Sequence, residues 1–293
     1  MAKKNLKYQA QKRLDKMFCP GVSKYEFKEQ AKSIAHEKES NDWLPIYNDL
    51  IRDKIFSYST YITYKKQSDS FFDWIEKYHP DVRNINGAKR YIQPYIDRCD
   101  SSWTASTRLV SLSKVYGIPS TELAKPPKRR RENIIRSRLP SEREKTFSKE
   151  KNQELINFCR NTGLRKFELE HLKPSQLEEH NGCYTLTIKG KGGKIRTIPI
   201  TDDRVIEKIK STPEDKLVWG KVNSHADIHS YRSEFASNLY KSLARDIEKI
   251  PCEERYICRG DMAGKIYDKK AMKIVSERLG HSRLSVIAAH YLR

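Results

Sequence analysis

Residues 183–200 have the sequence CYTLTIKGKGGKIRTIPI. In 183–188 and again in 195–200, aliphatic side chains alternate with threonine, arginine or proline, which is the two-residue period of a strand that is buried on one face. The intervening KGKGGK, residues 189–194, has the glycines that a tight hairpin turn favours, together with three lysines. We therefore predict an antiparallel β-hairpin with a basic turn.

Around this hairpin the apolar spacing becomes helical. Ser148 is placed to cap a helix that ends near Arg160, and a second short helix is predicted from about Arg165. After the hairpin the sequence predicts mainly helices, apart from one small hairpin within 256–267. Residues 146–293 are thus predicted to be an α+β domain, mainly helical with a small antiparallel sheet.

The first half of the chain has helical spacing throughout. Between residues 40 and 124, large apolar side chains recur at intervals of three and four, which places them on one helix face. They are Tyr61, Tyr64, Phe71, Phe72, Ile75 and Tyr78. Ser57 and Ser101 precede such segments and can cap helices. We predict a helical domain over 40–124 whose aromatic side chains form its core, preceded by a basic segment over 1–39.

Residues 125–145, KPPKRRRENIIRSRLPSEREK, differ in composition from both halves. They include nine basic and three acidic residues, and the Pro126-Pro127 pair disfavours helix on both sides. We interpret them as an extended interdomain linker that lies on nucleic-acid phosphates. Its candidate contacts are Lys128, Arg129, Arg130 and Arg131. A solvated charge run or a localisation tag is the alternative.

The whole chain is strongly basic: 58 lysines and arginines against 38 acidic residues give a net charge of +20 at pH 7. Such an excess suggests a polyanionic partner, above all nucleic acid. There is no apolar run of about 18 residues, as a membrane span requires, and no secretory signal behind the basic start. We expect a cytoplasmic, nucleoid-associated protein. Its six cysteines are scattered without a CxxC pair, which predicts reduced thiols and no metal site.

Five short motifs carry candidate chemistry. KGKGGK does not fit the G-x-x-x-x-G-K-[ST] phosphate loop, so nucleotide hydrolysis is not expected. A lysine at a hairpin tip can, however, enter a groove and deliver a proton to a departing oxygen. The other four motifs, in chain order, are Thr162-Gly163-Leu164-Arg165-Lys166-Phe167-Glu168-Leu169, His229-Ser230-Tyr231-Arg232, Leu279-Gly280-His281 and Tyr291.

In this order the motifs resemble those of the tyrosine recombinases, the phage-integrase type of site-specific recombinases. That family has an arginine in T-G-x-R-x-x-E-L, a hairpin lysine in G-K-G-x-K-x-R, an H-x-x-R, an L-G-H and a tyrosine near the C-terminus. The matching residues here are Arg165, Lys191, His229, Arg232, His281 and Tyr291. The resemblance to the catalytic domain covers residues 139–293, and it implies that 40–124 is a core-binding, SAM-like DNA-binding domain.

The resemblance also implies a role for each residue. Tyr291 would attack a DNA phosphodiester to form a 3′-phosphotyrosine, and Lys191 would protonate the leaving 5′ oxygen. His229 would assist proton transfer, and His281 would support the pentacoordinate phosphate. The energy of the phosphodiester is conserved in such an intermediate, so no cofactor or metal is expected.

The chemistry of phosphodiester cleavage independently favours these residue types. Arg165 and Arg232 suit the stabilisation of phosphate oxygens, because a guanidinium is always charged and binds two oxygens at once. Glu168 either orients these arginines, as the resemblance implies, or stabilises its helix from the surface. Lys189 and Lys194, on either side of the hairpin tip, are candidate DNA contacts.

The resemblance implies a site-specific DNA recombinase of integrase type, which would act as a tetramer on paired sites through a Holliday junction and integrate or excise a mobile element. It is expected to be a monomer in solution, and a directionality factor is a further expected partner.

Only Leu292 and Arg293 follow the tyrosine, so we expect subunit contacts to come from elsewhere than a C-terminal tail. Residues 1–39 are expected to be too short for a separate arm-type DNA-binding domain. A type IB topoisomerase-like enzyme and a non-catalytic DNA clamp of the same fold are the alternatives.

Overall fold

The computed structural model describes residues 5–128, 147–190 and 193–292. The chain divides into two units, Met1–Ile135 and Arg136–Arg293. The helices of the first unit are α1 (Leu6–Met17), α2 (Lys24–Glu37), α3 (Leu44–Leu50), α4 (Tyr58–Tyr78), α5 (Ile85–Ala88), α6 (Ile92–Asp97), α7 (Ser102–Tyr116) and α8 (Ser120–Leu123). The domain limits drawn from the sequence stay a prediction.

Side-chain caps fix where the long helices of the first unit begin. The hydroxyl of Ser57 accepts a hydrogen bond from the Thr60 amide at the start of α4, and Ser101 caps α7 in the same way. Both caps are as the sequence predicts, because a serine oxygen satisfies one of the amides that a helix leaves unpaired at its N-terminus. Gly117 ends α7 in the left-handed conformation with φ 66°, where glycine has no steric penalty.

The core of the first unit lies between α1, α4 and α7. Phe71, Phe72 and Ile75 of α4 are completely buried in it. The predicted apolar face is therefore confirmed for these residues, but it was wrong for Tyr78. That ring is half exposed and lies under the cations of Lys77 and Arg98.

Helix α1 belongs to the same core. Leu6, Ala10 and Leu14 are buried against α4 and α7, although the segment that contains them is basic. Its charged residues lie on the other helix faces, as in an ordinary amphipathic helix. Residues before 40 thus contribute structure to the first unit.

The second unit is α+β. Its elements are α9 (Gln153–Thr162), α10 (Lys166–Glu170), β1 (Leu177–His180), β2 (Cys183–Lys189), β3 (Ile195–Ile200), α11 (Asp203–Lys210), α12 (Ile228–Leu243), β4 (Arg255–Ile257), β5 (Ile266–Asp268), α13 (Lys269–Arg278) and α14 (Leu284–His290). The mainly helical fold with small antiparallel sheets that the sequence predicts is confirmed.

Strands β1, β2 and β3 form an antiparallel sheet in that order. The predicted hairpin is present, with Leu186 opposite Ile198 and both side chains buried. Strand β1 was not predicted; it joins β2 through Asn181 and Gly182, which both have positive φ. The second small hairpin, β4 and β5, lies where the sequence predicts it.

Two apolar clusters make up the core of the second unit. One holds the three-stranded sheet with α9 and α11, and the other holds α13, α14 and the end of the chain. Helix α12 runs through both, with Tyr231 in the first cluster and Ala236 in the second. Arg232 therefore lies between the two clusters, where the candidate site is found.

Candidate active site

Arg232 is the centre of the site. It lies in the first turns of α12, whose start is capped by Asp227, and its side chain is completely buried. It donates to the carbonyl oxygens of Gly163 and Leu279, and its Nε lies 3.2 Å from the Tyr291 hydroxyl. Burial lowers the pKa of Arg232 to about 10, so the guanidinium stays charged at neutral pH.

Arg165 approaches the same point from the start of α10. Its Nη2 donates to the Leu279 carbonyl at 3.2 Å, so this one oxygen accepts from both arginines. Leu279 caps the C-terminus of α13, and the carbonyls at a helix C-terminus carry partial negative charge. The arginine side chain remains about a quarter exposed. Arg165 is thus the member of the pair that a ligand can reach.

Glu168 holds Arg165 in place. Its carboxylate accepts from the Arg165 amide and from the Arg165 guanidinium, each at 2.8 Å. Only 2% of the side chain is exposed. Of the two sequence readings of Glu168, a surface residue that stabilises its helix is therefore wrong, and contact with the arginine is what the structure shows.

Arg196, a residue not among the predicted site residues, completes this network. Its side chain is 4% exposed and donates to both carboxylate oxygens of Glu168, at 2.9 and 2.7 Å. Its Nε donates to the Arg278 carbonyl at the end of α13. Two signals in the sequence could have identified it. It is the last residue of the G-K-G-x-K-x-R motif, and it is in phase with the buried Ile198 and Ile200 of β3.

Tyr291 directly follows α14 and is largely buried. Its hydroxyl lies 3.2 Å from both Arg232 Nε and His281 Nε2. The backbone is also anchored, since Ser237 Oγ donates to the Tyr291 carbonyl at 2.8 Å and the Tyr267 hydroxyl donates to the Leu292 carbonyl. The phenol is therefore held against Arg232.

His281 is neutral at physiological pH. Burial, followed by the positive charges of Arg232, Arg165 and Arg196, lowers its pKa to about 4. A neutral imidazole has one nitrogen without a proton, so Nε2 can accept the hydrogen bond of the Tyr291 hydroxyl. The carbonyl of His281 in turn accepts from Lys194 at 3.1 Å, which ties the β2–β3 hairpin to the site.

Two glycines permit the close packing around these residues. Gly163 has φ 60°, and a Cβ there would clash with the ring of Phe235 on α12. Gly280 has φ 68°, and a Cβ there would come 3.1 Å from Arg196 Cδ. The glycines in the T-G-x-R and L-G-H motifs thus leave room for the side chains of Phe235 and Arg196.

The structure brings four of the six predicted catalytic residues together, namely Arg165, Arg232, His281 and Tyr291. His229 is exposed one turn before Arg232 on α12, on a similar side of the helix. Lys189 and Lys194 are exposed on the hairpin, and Lys128 is exposed in the first unit. The remaining predicted residues, which are Lys191, Arg129, Arg130 and Arg131, lie outside the described residues. Within the described ranges, no group of three or more His, Cys, Asp or Glu side chains is arranged to hold a metal ion.

Known proteins resemble the chain in sequence and in fold. The tyrosine recombinase XerH of Helicobacter pylori is 28% identical to the chain over 141 residues. A crystal structure of XerH site-specific recombinase bound to palindromic difH substrate, a post-cleavage complex, superposes with a TM-score of 0.51 at 15% identity, covering 98% of this chain and 90% of that one. The chain is thus similar in sequence to a tyrosine recombinase over about half of its length and similar in fold over nearly all of it. The pre-cleavage complex of XerH with difH gives a TM-score of 0.50, also at 15% identity, over 97% of this chain and 91% of that one.

The extent of the sequence match is limited. The aligned part is 46% of this chain and 39% of XerH, so the chain spans about two fifths of the curated relative's length. No protein-family profile matches the chain. None of the helices in the described part of the chain combines the length and hydropathy of a membrane span.

Proposed function

We propose that the chain is a tyrosine recombinase, which cuts and rejoins DNA strands at specific sites through a covalent 3′-phosphotyrosine intermediate on Tyr291. The observation that carries the proposal is the position of the Tyr291 hydroxyl, 3.2 Å from the buried guanidinium of Arg232 and from His281. A tyrosine beside two converging arginines can attack a phosphate whose charge those arginines stabilise.

The proposed reaction begins when Tyr291 attacks the scissile phosphate. Arg165 and Arg232 stabilise the charge on the non-bridging oxygens, and the neutral His281 takes the phenol proton and then supports the phosphate by donating a hydrogen bond to it. Because Arg232 is fully buried beneath its present partners, the phosphate reaches it as the tyrosine side chain moves from the guanidinium towards the phosphorus. The bond to the 5′ oxygen breaks, and that oxygen takes a proton from Lys191, with His229 assisting. Attack by a 5′ hydroxyl reverses these steps and frees the tyrosine.

The proposed substrate is double-stranded DNA with paired recombination sites. Support comes from the net charge of +20 and from the likeness to XerH structures that contain difH DNA. We propose that four copies act together through a Holliday junction, in the cytoplasm on the nucleoid, to integrate or excise a mobile element. The basic linker and the hairpin lysines would contact the DNA backbone, and a directionality factor would set which reaction prevails.

Covalent capture on nicked suicide duplexes tests this function. The duplexes span the ends of the element that carries the gene, so that the cut strand loses a short fragment and cannot be rejoined. Wild-type protein is expected to form an SDS-resistant adduct without added metal, and Tyr291→Phe is expected to form none. Tyr240→Phe is the matched control, because Tyr240 is a further tyrosine of the second unit whose hydroxyl instead accepts from the Asp268 amide.

The same assay separates the alternatives. Tight binding of the duplexes without any adduct, across shifted nick positions, would favour a non-catalytic clamp. An adduct accompanied by relaxation of supercoiled DNA that carries a single site, with no exchange between paired sites, would favour a topoisomerase-like enzyme. Adduct formation by Tyr291→Phe would show that another residue is the nucleophile.

A further inference from the structure

Arg196 is a buried charged residue that takes no direct part in the proposed cleavage reaction. Its side chain is buried at 4% exposure and enters the site from β3. Two glycines make space for it: a Cβ at Gly190 would lie 3.1 Å from Arg196 Nη1, and a Cβ at Gly280 would lie 3.1 Å from its Cδ. A guanidinium enclosed in this way cannot reach a DNA phosphate itself.

All three nitrogens of Arg196 are instead used inside the protein. Nη1 and Nη2 donate to the two oxygens of Glu168, and Nε donates to the Arg278 carbonyl at 2.9 Å. Glu168 also accepts twice from Arg165. Its carboxylate therefore has four hydrogen bonds, about as many as its lone pairs can accept, and both of its oxygens have a fixed orientation.

Charge explains why two arginines share one carboxylate. If Glu168 faced Arg165 alone, the pair would be neutral, and Arg165 would attract a phosphate weakly. The charge of Arg196 offsets that of Glu168, so the positive charge of Arg165 stays available while its position remains fixed by the carboxylate. The bond from Arg196 to the Arg278 carbonyl also holds the end of α13, whose next carbonyl, on Leu279, orients Arg165 and Arg232.

We propose that Arg196 is a positioning residue of the cleavage reaction, which acts through Glu168 and the end of α13 to hold Arg165 in place and keep its charge available to the scissile phosphate. This inference rests on the proposed function. The inference adds that Arg196, a buried arginine of β3, affects the rate of cleavage.

The test measures single-turnover adduct formation and binding of an uncut duplex separately. Arg196→Met is expected to slow adduct formation about 10- to 100-fold, as misplacement of catalytic groups does, with DNA affinity within about twofold of wild type because the residue is buried. Arg196→Lys restores the charge and one hydrogen bond and is expected to recover part of the rate. Arg204→Met is the matched control, since it removes an exposed arginine that pairs with Asp202 at the start of α11, with the same change in net charge.

The pH profile distinguishes positioning from simple structural support. Hydrogen bonds and charge from Arg196 hold down the pKa of Glu168, so the carboxyl of Arg196→Met protonates at higher pH and the adduct rate declines on acidification where wild type does not. Arg165, Arg232 and His281 are the other charged or titratable groups of this cluster. The double variant Arg196→Met with Glu168→Gln should lack this decline while retaining any contribution from His281.

Each outcome decides between the two proposals. If wild type forms adduct and Arg196→Met matches Arg204→Met in rate and pH profile, the role of Arg196 is refuted and the proposed function stands. If wild type forms no adduct, both fail. If Arg196→Met does not fold, as judged by its thermal unfolding, Arg196→Lys carries the test: a rate equal to wild type at all pH values would refute the inference, and a slower rate at unchanged DNA affinity would support it.

Discussion

Replacement of Glu168 by glutamine should reveal how much the buried ion network contributes to stability. The carboxylate is held by Arg165 and Arg196 with four hydrogen bonds of 2.7–2.9 Å. Burial alone would raise the pKa of Glu168, but these hydrogen bonds and charges outweigh it and lower the pKa to about 2. In the unfolded chain Glu168 has the ordinary pKa of a glutamate. Ionisation of this group therefore stabilises the folded state relative to the unfolded one.

The magnitude follows from the difference between the two states. The ordinary value is 4.5 and the folded value is about 2, and each tenfold change in an ionisation constant corresponds to about 1.4 kcal/mol, so the ionised network contributes about 3 kcal/mol at pH 7. Removal of one partner from a buried pair typically costs about 3–5 kcal/mol, which agrees. Because the folded pKa is depressed, this contribution is complete above about pH 5 and is lost as the pH falls towards 2.

Urea denaturation with hydrogen-exchange detection of residues 147–292 can measure the contribution of this network to the free energy of unfolding, because it follows the second unit separately from the first. Glu168→Gln is expected to lower the free energy of unfolding by about 3 kcal/mol at pH 7, and its difference from wild type should shrink below pH 5. Glu179→Gln is the control, since its ion pair with Lys210 is exposed on the surface and should matter far less. Equal stability of wild type and Glu168→Gln at pH 7, or a difference that does not change with pH, would refute this account.

Three further changes have expected outcomes. Gly163→Ala should destabilise the second unit by about 2 kcal/mol or more in urea denaturation, because it combines positive φ with a clash against Phe235; Gly182→Ala, at φ 75° in open space, should cost less. Lys114→Met should destabilise the first unit by about 1–3 kcal/mol in the same assay, since Lys114 donates to the carbonyls of Ile51, Arg52 and Lys54. Affinity for duplex DNA should fall steeply and log-linearly with salt in a fluorescence titration; an affinity independent of salt would contradict binding through phosphates.

Local pattern explains which elements of the fold could be predicted. The β2–β3 hairpin could be predicted because the alternating apolar residues of its strands and its glycine-rich turn both indicate a hairpin. Strand β1 has the sequence LEEH, whose side chains are mostly exposed, so alternation could not reveal it. Its signal was in the turn, since Asn-Gly at 181–182 is the typical two-residue hairpin turn. Likewise, helix α1 was difficult to place in the core because composition averages over all faces of an amphipathic helix.

The candidate site shows a similar division. Motif order named Arg165, Arg232, His281 and Tyr291, which come from four separate places in the second unit and meet only through tertiary packing. The spacing of the motifs could not predict that Glu168 pairs with Arg196, because the sequence does not show which acidic residue a buried arginine contacts. The alternation of β3 did indicate that Arg196 is buried, and a charged residue at a buried position needs a partner inside the protein.

The geometry of α13 explains how three arginines can lie side by side. Like charges at such distances repel: burial lowers the pKa of Arg232 most, and the charge of Arg165 lowers it further. Two features offset this repulsion: the carboxylate of Glu168 and the carbonyls of Arg278 and Leu279, which end the helix and carry its partial negative charge. One full negative charge against three positive ones still leaves the site cationic. A single phosphate would reduce that excess, so the folded protein holds its arginines in an arrangement that binding of the proposed substrate makes more stable.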